Sequence, residues 1–428
     1  MRRANSENVY GNRSGLGSDR ELRKTAVNVT EVTSMRTRSL FRWLILLACT
    51  PCSAQDNNGL APEITDLNAK DVSYALEARL PDLKQPFIDT TPADRGDGIV
   101  VGELGVDAGN REAILKYAQE VAAGKHGQID SLLLWHSGKL LFESYYRRGR
   151  VNYPHYQMSI TKSYTALAVG RAVQLGHLTR DDFDKPVVSF LQDLDPGKFV
   201  DGAAAITLAE AMNMRSGVRM DDATVRKLRR TPDRLKGQGQ IQAYLEHSAP
   251  IPAFPRAYKY QGSDPSMAMQ VLESAVPGSA REFIRTELLG RIGITNFGWQ
   301  NGVSGLPKSA AGSSLCSRDM LKWGLVVLSQ GRWKDEQIIP ADFVERACSR
   351  IYTNKQRTSY GYFWWRHEMR MGEQKFDCIS GRGAGGQYVF VLPELQLIAV
   401  ITAHNKGMGP TLRSFPKHVL PGFVDTPS

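Results

Sequence analysis

The sequence predicts an α+β fold: one antiparallel sheet flanked by helices, with an all-helical lobe inserted in the middle of the chain. Strand patterns sit on both sides of a long central stretch that has almost none. That stretch, residues 177–300, reads as helices and loops punctuated by Pro186, Pro196-Gly197, Gly217 and Pro250-Ile251-Pro252. Strands from opposite ends of a chain pair into one sheet rather than leave open edges. The expected organisation is a leader over 1–54, an extended lead-in over 55–108 and one main domain over 109–428.

Each element has its own signal. The lead-in is polar and proline-rich, with Pro62, Pro81, Pro86 and Pro92. Asn110 to Ala123 is an amphipathic helix stopped by Gly124. Ser131–Trp135 and Leu140–Tyr146 are strands joined by a turn at His136-Ser137-Gly138-Lys139. A helix follows Ser159 and runs to Leu175, before Gly176. Ser317 caps another helix reaching Leu328. Tyr360–Trp365, Gln387–Leu392 and Gln396–Thr402 read as strands, the last two joined by Pro393-Glu394-Leu395.

A chain of 428 residues with 42% hydrophobic residues can bury a large core. Its net charge is +10, and half of that lies in residues 1–54. No basic run carries interleaved aromatics, so nucleic acid is not an expected partner. The leader places Arg36 and Arg38 before the apolar run Leu44–Leu47, with small residues around Cys52-Ser53-Ala54. That is the layout of an export signal, and a periplasmic location is expected. Met35 offers an alternative start that would leave residues 1–34 outside the protein. Membrane contact is expected only if Cys49 is lipidated. Outside the leader, Cys316, Cys348 and Cys378 form an odd set, and no Cys/His spacing suggests a structural zinc.

The chemistry centres on Gln157-Met158-Ser159-Ile160-Thr161-Lys162-Ser163. A serine at the start of a helix has free backbone N–H groups beside it, and a lysine three residues on shares its face. Such a lysine can take the hydroxyl proton that a serine nucleophile must lose. Spacing alone does not decide this, because an N-cap serine with a solvated lysine looks the same. A second match, Ser414-Phe415-Pro416-Lys417, has a proline within its turn and reads as accidental. Further groups are needed. Tyr258-Lys259-Tyr260-Gln261-Gly262-Ser263-Asp264 offers a second proton carrier in a loop. Gly383-Ala384-Gly385-Gly386-Gln387 offers backbone N–H groups that a substrate could approach closely.

These three stretches, in this order, resemble the penicillin-recognising serine hydrolases, most of all the class C β-lactamase-type esterases and 6-aminohexanoate-dimer hydrolases. The resemblance spans about residues 128–405. It is reinforced by Ser137-Gly138-Lys139 before Glu143-Ser144-Tyr145-Tyr146, by Gly176-His177-Leu178 before Asp184-Lys185-Pro186-Val187, and by Met214-Arg215-Ser216-Gly217. Ser317-Arg318-Asp319-Met320 before Gly324, Gly361-Tyr362-Phe363-Trp364-Trp365 and Gly386-Gln387 before Pro393 fit as well. The resemblance implies a β-lactamase/transpeptidase-like fold, with Ser159 as the acylated nucleophile and Lys162 as its proton acceptor. Tyr260 takes the catalytic tyrosine position, with Tyr258 as the fallback. The N–H groups of Ser159 and Gln387 would bind the oxyanion beside a wall at Gly385 and Gly386. No metal or organic cofactor is implied.

Two departures bear on the substrate. The Tyr-x-Asn of β-lactamases ends here in Gly262, and Ala384-Gly385-Gly386 stands where they carry Lys-Thr-Gly. Arg382 is the candidate substitute for that lysine, and Asp264 is a further candidate substrate contact. The expected activity is hydrolysis of a small-molecule ester or linear amide. The alternatives are β-lactamase, D-aminopeptidase or transpeptidase activity, or a slow-turnover penicillin-binding sensor. His155 and His404 read as structural.

Overall fold

Nine strands form the main sheet of the computed structural model, which describes residues 61–64, 72–354 and 358–424. All of these belong to one unit, Asp56–Ser428; the leader, including Cys49 and Cys52, lies outside the described residues. The strands are β1 (Phe87–Asp89), β2 (Ile129–His136), β3 (Lys139–Tyr145), β4 (Tyr352–Thr353), β5 (Ser359–Gly361), β6 (Trp364–Met371), β7 (Gln374–Gly383), β8 (Gln387–Leu392) and β9 (Leu397–Ala403). They run in the order β1-β3-β2-β9-β8-β7-β6-β5-β4, each antiparallel to its neighbours. The contact that closes the fold is β9 on β2, which joins the two ends of the sequence, with Ile398 opposite Trp135 and Val400 opposite Leu133.

The helices that matter for the site are α1 (Tyr74–Glu77), α2 (Arg111–Ala122), α3 (Ile160–Gln174), α4 (Ser263–Ala275), α5 (Ser317–Leu328) and α6 (Gly409–His418). Alternate residues of the central strands feed two cores. Leu133, Trp135, Val389, Val391, Ile398 and Val400 face α3, α5 and the helical lobe. Leu132, Leu134, Tyr388, Phe390, Ala399 and Ile401 face α2 and α6. This explains why β8 and β9 read as unbroken apolar runs: both of their faces are buried, so the period-2 alternation of a half-exposed strand is lost.

Residues 177–296 hold helices and turns and no strand, but a short strand, Phe297–Trp299, falls inside the 177–300 stretch that the sequence reads as helices and loops. Three further details differ from the sequence reading. Tyr360–Trp365 is a hairpin and not one strand: β5 ends at Gly361, Phe363 turns at φ 64°, and β6 starts at Trp364. A Cβ on Gly361 would lie 2.6 Å from the Ala347 carbonyl oxygen, which is why glycine stands there. Ser317 does not cap α5; its hydroxyl bonds Ser131 at 2.7 Å inside the core. The lead-in supplies an edge strand, β1, and the short helix α1, whose Glu77 reaches the site.

Candidate active site

α3 begins out of a backbone conformation that few side chains adopt. Met158 has φ 49°, in the left-handed region. The turn it makes presents Ser159 at the N-cap position, yet the Ser159 side chain caps nothing. Its Oγ instead lies 3.2 Å from Lys162 Nζ. The capping alternative open at the level of sequence is thereby set aside. The second Ser-x-x-Lys shows the contrast: Ser414 is buried against Tyr117 and Thr411, while Lys417 is exposed.

Lys162 is buried, and its other polar contact is the Ala310 carbonyl at 2.7 Å. Burial disfavours the ammonium and lowers its pKa to about 7. A lysine so placed is partly neutral near neutral pH and can accept a proton from Ser159. Its Nζ also lies 4.7 Å from the centroid of the Tyr260 ring. The structure thus brings Ser159, Lys162 and Tyr260 together, with the ammonium over the face of the ring. Tyr258 is stacked on Tyr352 at 4.5 Å with the rings 4° from parallel, and its edge meets Tyr360. That packing marks Tyr258 as part of an aromatic wall.

Asp264 does not face a substrate. It is fully buried and accepts from the Ser216 N–H at 3.1 Å, the Ser216 hydroxyl at 2.9 Å, Gln261 Nε2 at 2.6 Å and the Ser263 hydroxyl at 2.9 Å. Burial raises its pKa. Its work is to tie Met214-Arg215-Ser216-Gly217 to the loop that carries Tyr260. Arg382 is corrected on similar grounds. Gly381 and Gly383 are the β7 positions turned towards α3, so Arg382 between them points to the other face of its strand. It is buried, bonds Ser380 Oγ at 2.9 Å and His367 Nδ1 at 2.6 Å, and lies over Trp365. Burial and then the Arg382 cation push His367 down to about 3, which leaves its ring neutral and able to accept from the guanidinium.

The glycine-rich wall is also displaced from the expected register. Residues 384–386 form the turn of the β7–β8 hairpin. Gly385 packs on Tyr74, and Gly386 on Asn405 and Ala403. Gln387 sits in the ladder opposite Gly383, and its side chain bonds both backbone groups of Ala403. The residue that meets the nucleophile turn is Gly383: a Cβ there would lie 2.3 Å from the Gln157 oxygen and 3.1 Å from Met158 Cβ. Ala384 follows it and is exposed, and its N–H donates no hydrogen bond among the described residues.

A buried ionic cluster stands behind this site. Glu77 of α1 accepts the backbone N–H of Tyr156, three residues before Ser159. His404 Nε2 lies 3.2 Å from the same carboxylate, and His404 Nδ1 lies 2.5 Å from Asp130. Tyr74 stacks on the His404 ring at 4.5 Å. His155, 3.8 Å from Glu77, is fully buried and kept below the usual imidazole range by that burial. The structural reading of both histidines matches these surroundings. Glu77, Asp130 and Tyr74 had no sequence signal, since they come from two distant segments, α1 and β2, that meet at His404 only in the folded chain.

A cleft of about 650 Å³ is lined by Tyr156, Gly262 and Ala310, whose carbonyl accepts from Lys162; Ser159, Lys162 and Tyr260 themselves do not line it. Its far wall is apolar, with Met220, Leu228 and Met269, and Arg229 and Lys259 also line it.

Comparison with protein families matches residues 118–414 to the beta-lactamase family. The chain belongs to the beta-lactamase family. No curated protein sequence matches it. Among solved structures, it is similar to a Bacillus anthracis protein assigned as a 6-aminohexanoate-dimer hydrolase, with TM-score 0.57 and 16% identity over 83% of this chain and 97% of that one. A D-stereospecific amidohydrolase from a Streptomyces species gives TM-score 0.54 and 14% identity, over 72% and 99%. A class C beta-lactamase gives 0.57 and 13%, over 74% and 97%. At such identities these likenesses show the shared beta-lactamase fold. Within that fold, Ser159 stands at the start of α3 beside the buried Lys162.

Proposed function

We propose that this beta-lactamase family chain hydrolyses an ester or a linear amide through an acyl-enzyme on Ser159. The observation that carries the proposal is the 3.2 Å approach of Lys162 Nζ to Ser159 Oγ, by an amine held at about 7. Ser159 Oγ attacks the substrate carbonyl while neutral Lys162 takes its proton, with Tyr260 beside the ammonium. In this reading the oxyanion is bound by the N–H of Ser159 and by that of Ala384, taken in place of Gln387 because Ala384 follows Gly383, the residue that meets the Gln157-Met158 turn. Collapse expels the alcohol or amine, which takes the proton back. Water, deprotonated by the same group, then releases the acid.

Two features support an ester or linear amide over a β-lactam. Gly262 brings no side chain to the cleft, and the β7 wall turns Gly381 and Gly383, rather than a lysine, towards α3. The names of two structural neighbours, a 6-aminohexanoate-dimer hydrolase and an amidohydrolase, point the same way. On the leader alone, the enzyme is exported to the periplasm.

The test compares p-nitrophenyl acetate and butyrate, a p-nitroanilide and a chromogenic cephalosporin, with Ser159→Ala as control and intact-mass detection of adducts. Turnover of ester or anilide that vanishes in Ser159→Ala, with a transient acyl mass on the wild type, is the expected result. Undiminished activity in Ser159→Ala would overturn the mechanism. Faster turnover of the cephalosporin would overturn the substrate class, and a persistent adduct without turnover would replace the hydrolase with an acyl trap.

A further inference from the structure

The opposite face of the sheet carries a cluster that the proposed hydrolysis does not use. Glu120 near the end of α2, His126 in the loop that follows, and His418 at the end of α6 each offer one ligating atom, and these atoms all lie within 4.8 Å of one another. Among the described residues this is the only group of its kind. All three side chains are half-buried. Glu120 Oε2 already lies 2.8 Å from His126 Nε2.

The rings are held in place. His126 and His418 are 4.6 Å apart between centroids, and both pack on Tyr117, at 4.8 and 5.5 Å. Tyr117 is buried, and its hydroxyl bonds Ser414, one turn before His418. A tetrahedral ion with ligands at about 2.1 Å holds them ~3.4 Å apart, so small side-chain rotations would close the shell.

We propose that Glu120, His126 and His418 bind a divalent transition-metal ion of the zinc class that ties α6 to α2. Two imidazoles and one carboxylate form a borderline donor set, suited to Zn²⁺, Co²⁺ or Ni²⁺ and poor for Ca²⁺ or Mg²⁺, which take oxygen ligands. The neighbouring cations, Lys116, Lys125 and Lys417, leave the site without the excess negative charge that hard ions need. Three protein ligands leave the fourth position to water. The ion would anchor α6 on the α2 face of the sheet, away from the α3 face that carries Ser159.

The test uses the full chain without a polyhistidine tag, stripped with EDTA and titrated with Zn²⁺ by calorimetry and thermal unfolding. One equivalent bound and a melting temperature raised by several degrees are expected, because a ligand that binds only the folded state stabilises it. His126→Ala and His418→Ala should each weaken binding at least tenfold, and Glu120→Gln, which keeps the packing, should do likewise. Ser159→Ala should bind as the wild type does. Tetrahedral Co²⁺ absorption that is lost in His418→Ala gives a readout independent of stability. Absence of saturable Zn²⁺ binding, or equal binding by all three site variants, would overturn the site.

Discussion

Gly383 faces the Gln157 carbonyl so closely that a methyl group would lie 2.3 Å from the oxygen. This contact sets the hairpin that carries Ala384 against the turn that carries Ser159. Gly383 is not among the positive-φ residues, so an alanine meets steric conflict alone. Gly383→Ala should push the hairpin away and lower kcat by about 10²-fold, the usual loss for one oxyanion donor. Steady-state ester kinetics check this, and an unchanged kcat in a folded variant would remove Ala384 from the oxyanion site.

Lys162 must be neutral to accept the Ser159 proton. With its pKa near 7, kcat/KM for an ester should climb with pH through an acid limb centred there and level off above it. Lys162→Ala should lose both the activity and the limb. A limb unmoved in Lys162→Ala would assign the titration to another group.

Tyr260 and Tyr258 are separated by their neighbours. Tyr260 lies under the Lys162 ammonium, whereas Tyr258 is stacked on Tyr352. Tyr260→Phe keeps the ring and removes the hydroxyl, so it should lower kcat by about 10²-fold or more as proton transfer is impaired. Tyr258→Phe should change kcat by less than about threefold. The opposite ranking would exchange their roles.

Arg318 joins three parts of the chain. Its guanidinium lies 2.7 Å from Glu143 Oε2 and 3.1 Å from Asp97 Oδ2, and it donates to the Ala93 carbonyl at 2.8 Å. Arg318 and Glu143 are both buried. Arg318→Ala leaves an unpaired buried carboxylate and should cost about 3–5 kcal/mol in urea unfolding.

His404 gives a pH signature. Burial works against the charged ring, but the hydrogen bond to Asp130 and then the Glu77 carboxylate 3.2 Å from Nε2 outweigh it and raise its pKa to about 9. Its ordinary value is about 6.5. The stability it contributes is therefore complete below about pH 6.5 and is lost as pH climbs through 9. Lys162, whose folded pKa is depressed, pulls the other way over part of that range. The measurement is thus the difference in unfolding free energy between wild type and His404→Asn from pH 6 to 10. That difference should shrink as pH rises, and a difference that grows would refute the assignment.

Much of the fold was legible because its signals are local. Turn residues mark the β2–β3 hairpin, Asn110 caps α2, and apolar runs mark β8 and β9. The hairpin at Tyr362-Phe363 was hidden because aromatic residues fill it and the glycine lies one position before the turn. At the site, Ser159 and Lys162 were legible because a helix fixes i and i+3 on one face. Arg382, Asp264 and Gln387 were legible as candidates, but not in the contacts they make. Their roles depend on strand parity and on which side of a hairpin meets α3.

The sequence by itself determined the α+β class, the helical middle and the placing of Ser159 and Lys162 one helical turn apart, because each depends on contacts within about one helical turn or one strand. Only the tertiary structure decided that Ser159 leaves its capping role, that Gly383 and not Gly385 meets the nucleophile turn, and that Glu77, Asp130 and His404 stand together behind it. Those outcomes depend on residues up to 327 positions apart, as Glu77 and His404 are, and no local pattern encodes which distant group will fill a buried space.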